Sequence, residues 1–242
     1  MGRAFEYRKA RKMKRWGHMA RVFTKIGKEI EMAVKASGPD PSSNLRLRLL
    51  MQNAKAENMP KENVERAIKR ATEKDAADYK EVIYEGYGAH GVAFIVECLT
   101  DNRNRTAADV RAAFSKYGGN LGTTGCVSFM FEEKGVIVIM DEDGEIEEDK
   151  LMETALEAGA EDFNADEEVF EIYTEPSDLS AVKEALVAAG YTIASAELDK
   201  IPSSYVTLES DDDIKNMNLL IEHLEDNDDV QDIYHNWENC DE

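Results

Sequence analysis

The chain has 242 residues, 43% of them hydrophobic and 33% charged, with a formal net charge of -21 at pH 7. This is enough apolar material for one large domain or two or three small ones, each with its own core, and it excludes wholesale disorder. Cys98, Cys126 and Cys240 form no CxxC pair, so neither a disulfide framework nor a zinc ribbon is expected, and a reducing cytoplasm fits best.

The net charge conceals a segregation. Residues 1–75 hold 19 Lys/Arg against 9 Asp/Glu, whereas residues 76–242 hold 10 against 41. An acidic protein with so basic a beginning points to a polyanion-facing end. Residues 1–17 read as a basic arm carrying Arg3, Arg8, Lys9, Arg11, Lys12, Lys14 and Arg15, with Phe5, Tyr7 and Trp16 interleaved. "MGRAFE" has Glu6 where N-myristoylation needs Ser or Thr. No apolar secretory core follows the early charges, and runs such as Val136–Met140 are too short to span a bilayer, so no membrane partner is expected.

From His18 onward, Met19, Val22, Phe23, Ile26, Ile30, Ala33 and Val34 recur at three- and four-residue steps. This predicts an amphipathic helix, ended by Gly38 and Pro39. Leu45, Leu49 and Ala54 mark a second helix. Val64, Ala67, Ile68 and Ala71 mark a third, with Pro60 in its first turn. Residues 18–75 are therefore expected to form a three-helix domain.

The period then changes. "EVIYEGYGAHGVAFIVECLT" predicts two strands joined by a Gly-rich turn. "TAADVRAAFSKYG" predicts a helix with a capping box at Thr106 and Asp109 and a stop at Gly118. "CVSFMF" and "VIVIM" read as strands on either side of Lys134-Gly135. A helix near Glu147–Ala158 follows, with room for a strand near Glu161–Asn164. The strand "EVFEIYTE", a helix opened by Ser177 and the strand "YTIASAEL" complete a ferredoxin-like βαββαβ order that starts at "VIVIM". Residues 76–134 lack a second helix–strand pair. The tail 203–242 supplies one, with a helix led by Ser210 and Asp213 and a strand near Val230–Tyr234. The expected fold is α+β: a helical domain and two ferredoxin-like α/β domains, with 135–202 inserted into a discontinuous domain of 76–134 and 203–242.

Several motifs carry no chemistry. "GYGAHG" satisfies G-x-G-x-x-G, but a strand rather than a helix follows, so it reads as a hairpin turn. "GGNLGTTG" lacks the Lys-Ser/Thr ending of a P-loop. Turn and bulge geometry explains it, with a phosphate-holding nest of backbone amides as the minority reading. "DEDGEIEED" fails the register of an EF-hand loop. His18, His90, His223 and His235 show neither metal nor triad spacing. No catalytic residue, cofactor, metal or small-molecule substrate is expected.

"TDNRNRT" is more specific. It places Asn102, Arg103, Asn104 and Arg105 between a strand and a helix N-terminus. It reads equally as a turn and as a loop that contacts phosphates or bases beside a helix dipole. The basic segment is the strongest signal. Residues 1–28 hold ten basic residues against Glu6 alone, with Arg21, Lys25 and Lys28 carrying the charge into the first helix. Phosphate neutralisation with counterion release is its natural use. Phe5, Tyr7 and Trp16 suit stacking on unpaired bases, which favours RNA over duplex reading. The alternatives are a basic amphipathic segment on a membrane or acidic protein, and an arm folded against the acidic body of its own chain.

On these residues the chain resembles the YebC/PmpR family, which includes the mitochondrial translational activators of cytochrome c oxidase. "VFTK" and the helix after it resemble the family's first helix, and "NMPKENVERAIKRA" its third. The longest match is Tyr84–Gly135, "YEGYGAHGVAFIVECLTDNRNRTAADVRAAFSKYGGNLGTTGCVSFMFEEKG", and "DDVQDIYHN" resembles the C-terminal strand. "GRAFEYRKARKMKRWGHMA" stands where bacterial members commonly open with "GHSKWANIKHRK", and "YGAHG" replaces the frequent "YGPGG". The resemblance implies three domains and a cytoplasmic, non-enzymatic regulator of gene expression. Some members are described as DNA-binding transcriptional regulators, and others act at the ribosome, easing synthesis of difficult stretches such as consecutive prolines. The expected partners are therefore rRNA, tRNA and the ribosome. Duplex DNA is the alternative, and an acidic adaptor that binds only proteins is a third reading.

Overall fold

The computed structural model describes residues 19–73, 77–141, 146–166 and 169–239. The chain divides into two units, one built from residues 129–204 and the other from the segments before and after it.

The second of these units begins with three helices. Helix α1, Met19–Ser37, buries Ile26, Ile30, Ala33 and Val34 along one stripe. It stops at Gly38, whose φ of +87° suits glycine and whose N–H bonds the Val34 carbonyl at 2.7 Å. Helix α2, Leu45–Ala56, is capped by Asn44, whose side-chain oxygen accepts the Leu47 N–H at 3.0 Å. The Asn44 amide also donates to the carbonyls of Ala33 and Gly38, so one buried residue ties the end of α1 to the start of α2. Helix α3, Lys61–Ala71, begins after Pro60, which occupies the N-cap and not the first turn. The inward side of α2 is Leu47, Leu50 and Ala54. Leu45 and Leu49, which mark this helix in the sequence, lie on the opposite side at 100° per residue and are 60% and 55% exposed.

Strands β1, Lys80–Tyr87, and β2, Ala93–Thr100, form an antiparallel hairpin whose tip is a short 3-10 turn over Ala89–Gly91. Helix α4, Arg103–Lys116, and the two-residue strand β3, Asn120–Leu121, follow. The unit between residues 129 and 204 contains β4 (Phe131–Met140), α5 (Glu148–Glu157), β5 (Asp162–Asp166), β6 (Val169–Thr174), α6 (Leu179–Ala188) and β7 (Ile193–Pro202). The tail adds α7, Asp211–Glu225, and β8, Val230–His235.

Each unit has one four-stranded antiparallel sheet, in the orders β3-β1-β2-β8 and β5-β6-β4-β7. Taken in chain order, β4, β5, β6 and β7 lie 2-3-1-4 across their sheet, the ferredoxin-like layout. The other sheet has the same layout if β2, β3, β1 and β8 take those four places. The third strand has moved ahead of the first in the chain, so this sheet is a permuted version of its companion. Its core is Phe94, Val96, Cys98, Phe114, Leu220, Leu224 and Ile233. Ile137, Ile139, Leu151, Phe170, Ile172 and Leu186 fill the companion core.

Three local expectations are corrected. The strand break at Lys134-Gly135 does not occur: β4 runs through it, and residues 128–130 of "CVSFMF" form a 3-10 turn. A Cβ at Gly135 would collide with Thr174 Oγ1 and lie 2.8 Å from Leu179 Cβ, so glycine is there for close packing and not for a turn. Helix α4 is capped by Asn102, which accepts the Arg105 N–H at 3.1 Å, and Thr106 lies one turn inside. Asp178, not Ser177, stands at the N-cap of α6.

Candidate nucleic-acid interface

Arg3, Arg8, Lys9, Arg11, Lys12, Lys14, Arg15 and Trp16 lie outside the described residues. Arg21 lies on α1. The remaining sequence-predicted cations separate into those that reach solvent and those that hold the fold.

Lys28 belongs to the second group. It is buried, and its Nζ donates to Asp229 Oδ1 at 2.7 Å, to the Asp228 carbonyl at 2.8 Å and to the Leu99 carbonyl at 3.4 Å. Its ammonium also lies 5.4 Å from the centre of the Tyr79 ring. Lys25, one turn earlier, donates to the Gln231 carbonyl at 3.3 Å. The register of β2 against β8 slips between Glu97 and Cys98, so Gln231 is the extra residue of a bulge and its carbonyl is turned to a partner outside the ladder. Helix α1 is thus fastened to the β2–β8 end of the sheet by two lysines that sequence reading assigned to a ligand.

The "TDNRNRT" loop divides in the same way. Arg105 Nη2 meets Asp229 Oδ2 at 2.7 Å and Asp101 Oδ1 at 3.1 Å. Thr106 Oγ1 donates to Asp229 Oδ2 at 2.8 Å, and Thr100 Oγ1 lies 3.1 Å from the same oxygen. Asp229 therefore gathers α1, the end of β2 and the first turn of α4 onto one carboxylate whose side chain is 7% exposed. Burial alone would raise its pKa. Hydrogen bonds from Arg105, Lys28 and Thr106 outweigh burial and hold the carboxyl at about 2. Nothing in the sequence singled out Asp229, which sits in an acidic run 201 residues from Lys28. Asn102 is used as the cap. Arg103 and Asn104 are exposed, and the Arg103 carbonyl accepts the Tyr84 hydroxyl at 3.2 Å.

A nest of amides forms at the last residue of the Gly-rich loop and just beyond it, and its anion belongs to the chain. Glu85, buried on β1, accepts the N–H groups of Gly125, Val127 and Ser128 at 2.7, 2.8 and 2.9 Å. Burial would raise this carboxyl, and the three amides lower it below the usual range. Of the loop whose minority reading is a phosphate nest, the Gly125 amide is thus taken by the chain's own carboxylate.

The helical layer offers cations that sequence reading did not select. Helix α2 carries Arg46, Arg48 and Lys55 with no carboxylate, and Arg48 and Lys55 are exposed. Arg46 pairs with Glu81 at 3.2 Å in an exposed bridge, which is worth little. Burial raises the pKa of Glu31 on α1, partly offset by Arg70 at 3.1 Å. Among the described residues there is no group of three His, Cys, Asp or Glu that could hold a metal ion, and no helix long and apolar enough to cross a membrane. Arg48 and Lys55 thus leave exposed positive charge on α2.

Residues 3–74 match the family described as "TACO1/YebC protein N-terminal domain", and residues 79–237 match "TACO1/YebC second and third domain". A protein of Geobacillus kaustophilus named "Probable transcriptional regulatory protein" is 56% identical over 217 residues, covering 89% of this chain and 88% of its own. One of the same name from Porphyromonas gingivalis is 52% identical over 98% of this chain and 97% of its own. A crystal structure of a conserved hypothetical protein from Aquifex aeolicus superposes with a TM-score of 0.78 at 44% identity, covering 91% of this chain and 90% of that one. Relatives are named as regulatory proteins and not as enzymes.

Proposed function

The chain belongs to the TACO1/YebC family, and on that premise we propose that it is a non-enzymatic, nucleic-acid-binding regulator of gene expression that grips RNA at the ribosome. Its finer role on this reading is to ease synthesis of difficult stretches such as consecutive prolines. The observation that carries the proposal is the excess of ten basic residues over one acidic residue in positions 1–28 of a chain with net charge -21. The arm supplies Arg3, Arg8, Lys9, Arg11, Lys12, Lys14 and Arg15, with Trp16 for stacking on an unpaired base. Arg48 and Lys55 of α2 add further exposed cations. Lys28 and Arg105 act indirectly, by holding α1 and α4 to the sheet.

Full-length protein should pellet with purified ribosomes, and the association should weaken steeply with salt. If about six phosphates are neutralised, the log–log slope is roughly -5 on duplex and about -4 on single strands. Deletion of residues 1–17 should abolish most of the association. A salt-insensitive association, or one that survives the deletion, overturns the reading. The names of the relatives favour a second reading, a DNA-binding transcriptional regulator. Sequence-specific duplex binding that resists competitor DNA, without ribosome association, would establish that reading instead.

A further inference from the structure

Residues 76–242 hold only ten Lys/Arg, and four of them, Arg103, Arg105, Arg111 and Lys116, lie on α4. Their placement is uneven. Arg105 turns to Asp229 and Asp101, and Lys116 lies over the Tyr117 ring at 5.0 Å. Arg103 and Arg111 are exposed, and among the described residues neither guanidinium has an ion pair. Eight residues of helix separate them by about 12 Å along the axis, far enough to take separate phosphates.

The surface beside the two arginines is low. At 100° per residue Ala107 lies between them, Asn104, Ser115 and Ala108 follow on the solvent side of Arg111, and the helix's one carboxylate, Asp109, projects from the far side. None of the exposed large hydrophobic residues is on α4, which argues against an apolar protein partner. Tyr84 borders the patch, with its hydroxyl on the Arg103 carbonyl. Burial raises the Tyr84 pKa, and the nearby charges of Arg103 and Arg111 pull it the other way, so both guanidinium groups act on one ring.

We propose that the outer face of α4, with Arg103, Asn104 and Arg111 as its contacts and Tyr84 at its border, is a second binding surface that takes the phosphodiester backbone of RNA. It rests on the nucleic-acid reading above and adds a contact separate from the arm, in a part of the chain that is otherwise acidic. Small side chains let the backbone approach, the two arginines neutralise a phosphate each, and Asn104 donates to phosphate or base.

The test measures binding of a fluorescein-labelled oligouridylate RNA, about twenty nucleotides long, to the full chain across a salt series. Three proteins are compared: wild type, Arg103→Gln/Arg111→Gln, and a control, Lys150→Gln/Lys183→Gln, with the same loss of net charge in the 129–204 unit. Thermal unfolding should be the same for wild type and the arginine variant, because neither arginine holds an ion pair among the described residues. The arginine variant should bind about tenfold more weakly at physiological salt, with a slope shallower by about 1.4, corresponding to two lost phosphates on a single strand. The control should follow wild type. A slope and affinity unchanged by the arginine substitutions overturn the α4 surface and leave the arm intact. A wild-type chain that fails to bind this RNA even at low salt overturns the nucleic-acid reading and the α4 surface together.

Discussion

Arg103 and Arg105 are two residues apart in the first turn of α4 and have different surroundings. Arg105 is drawn to Asp229, 124 residues further on, and Arg103 is left to solvent. Asp229 accepts from two cations and a threonine, so removing its charge leaves Lys28 buried against neutral groups. Breaking one partner of such a buried pair costs about 3–5 kcal/mol. Asp229→Asn should therefore lower the urea midpoint by that much free energy, and adding Lys28→Met should restore part of it. The pH dependence follows from the depressed pKa of the carboxyl, about 2 in the folded chain against an ordinary 3.8. The stabilisation from ionised Asp229 is fully present above about pH 4 and is lost as the pH falls through about 2, a difference of about 2 kcal/mol. The margin of wild type over Asp229→Asn should narrow over that interval in acid titrations. A margin that is constant with pH would mean that the carboxylate's charge is not what stabilises the junction.

At the scale of elements, the periodicities of α1 and α3 and the hairpin of β1 and β2 were legible because each depends on neighbours in sequence. Ile26, Ile30, Ala33 and Val34 form one stripe, and a strand rather than a helix follows "GYGAHG". What was not legible depends on distant partners. Gly135 reads as a turn signal until Thr174 and Leu179 are seen against it. Lys28 reads as part of a basic stretch until Asp229 arrives from the tail. A nest is a minority reading of "GGNLGTTG"; the one that forms, at Gly125, Val127 and Ser128, takes its anion from Glu85 on β1. Much of the candidate interface was visible as charge, and the separation of structural from exposed cations was not. Gly135→Ala tests the packing explanation. Forcing a methyl against Thr174 and Leu179 should cost about 1–3 kcal/mol, read as a lower urea midpoint with an unchanged m-value. A neutral effect would return Gly135 to the status of a tolerated accident.

For the whole molecule, the net charge is concentrated in one place. Residues 129–204 hold 22 Asp/Glu and 4 Lys/Arg, a net of -18 in a chain of -21. The rest of the protein, which includes the arm, α2 and α4, is close to neutral. The acidic unit also has the anatomy of an insertion. Its first and last strands pair side by side, with Phe131 opposite Pro202, and the Ser203 N–H bonds the Met130 carbonyl at 2.8 Å. Entry and exit are therefore adjacent, and a short glycine linker from Ser128 to Tyr205 should close the remainder. Residues 129–204, with their own core, should fold alone and unfold cooperatively. The shortened remainder keeps every proposed phosphate contact and loses a block of negative charge that repels RNA. It should bind the same oligouridylate more tightly than the full chain at low salt. The two affinities should converge as the Debye length falls from about 30 Å at 0.01 M to about 3 Å at 1 M, because repulsion between separated charges is screened. The acidic unit would then act as an electrostatic guard, restricting docking to orientations that keep it away from phosphates. Equal affinities at low salt would show that this charge has no influence on binding, and another purpose would have to be found for it.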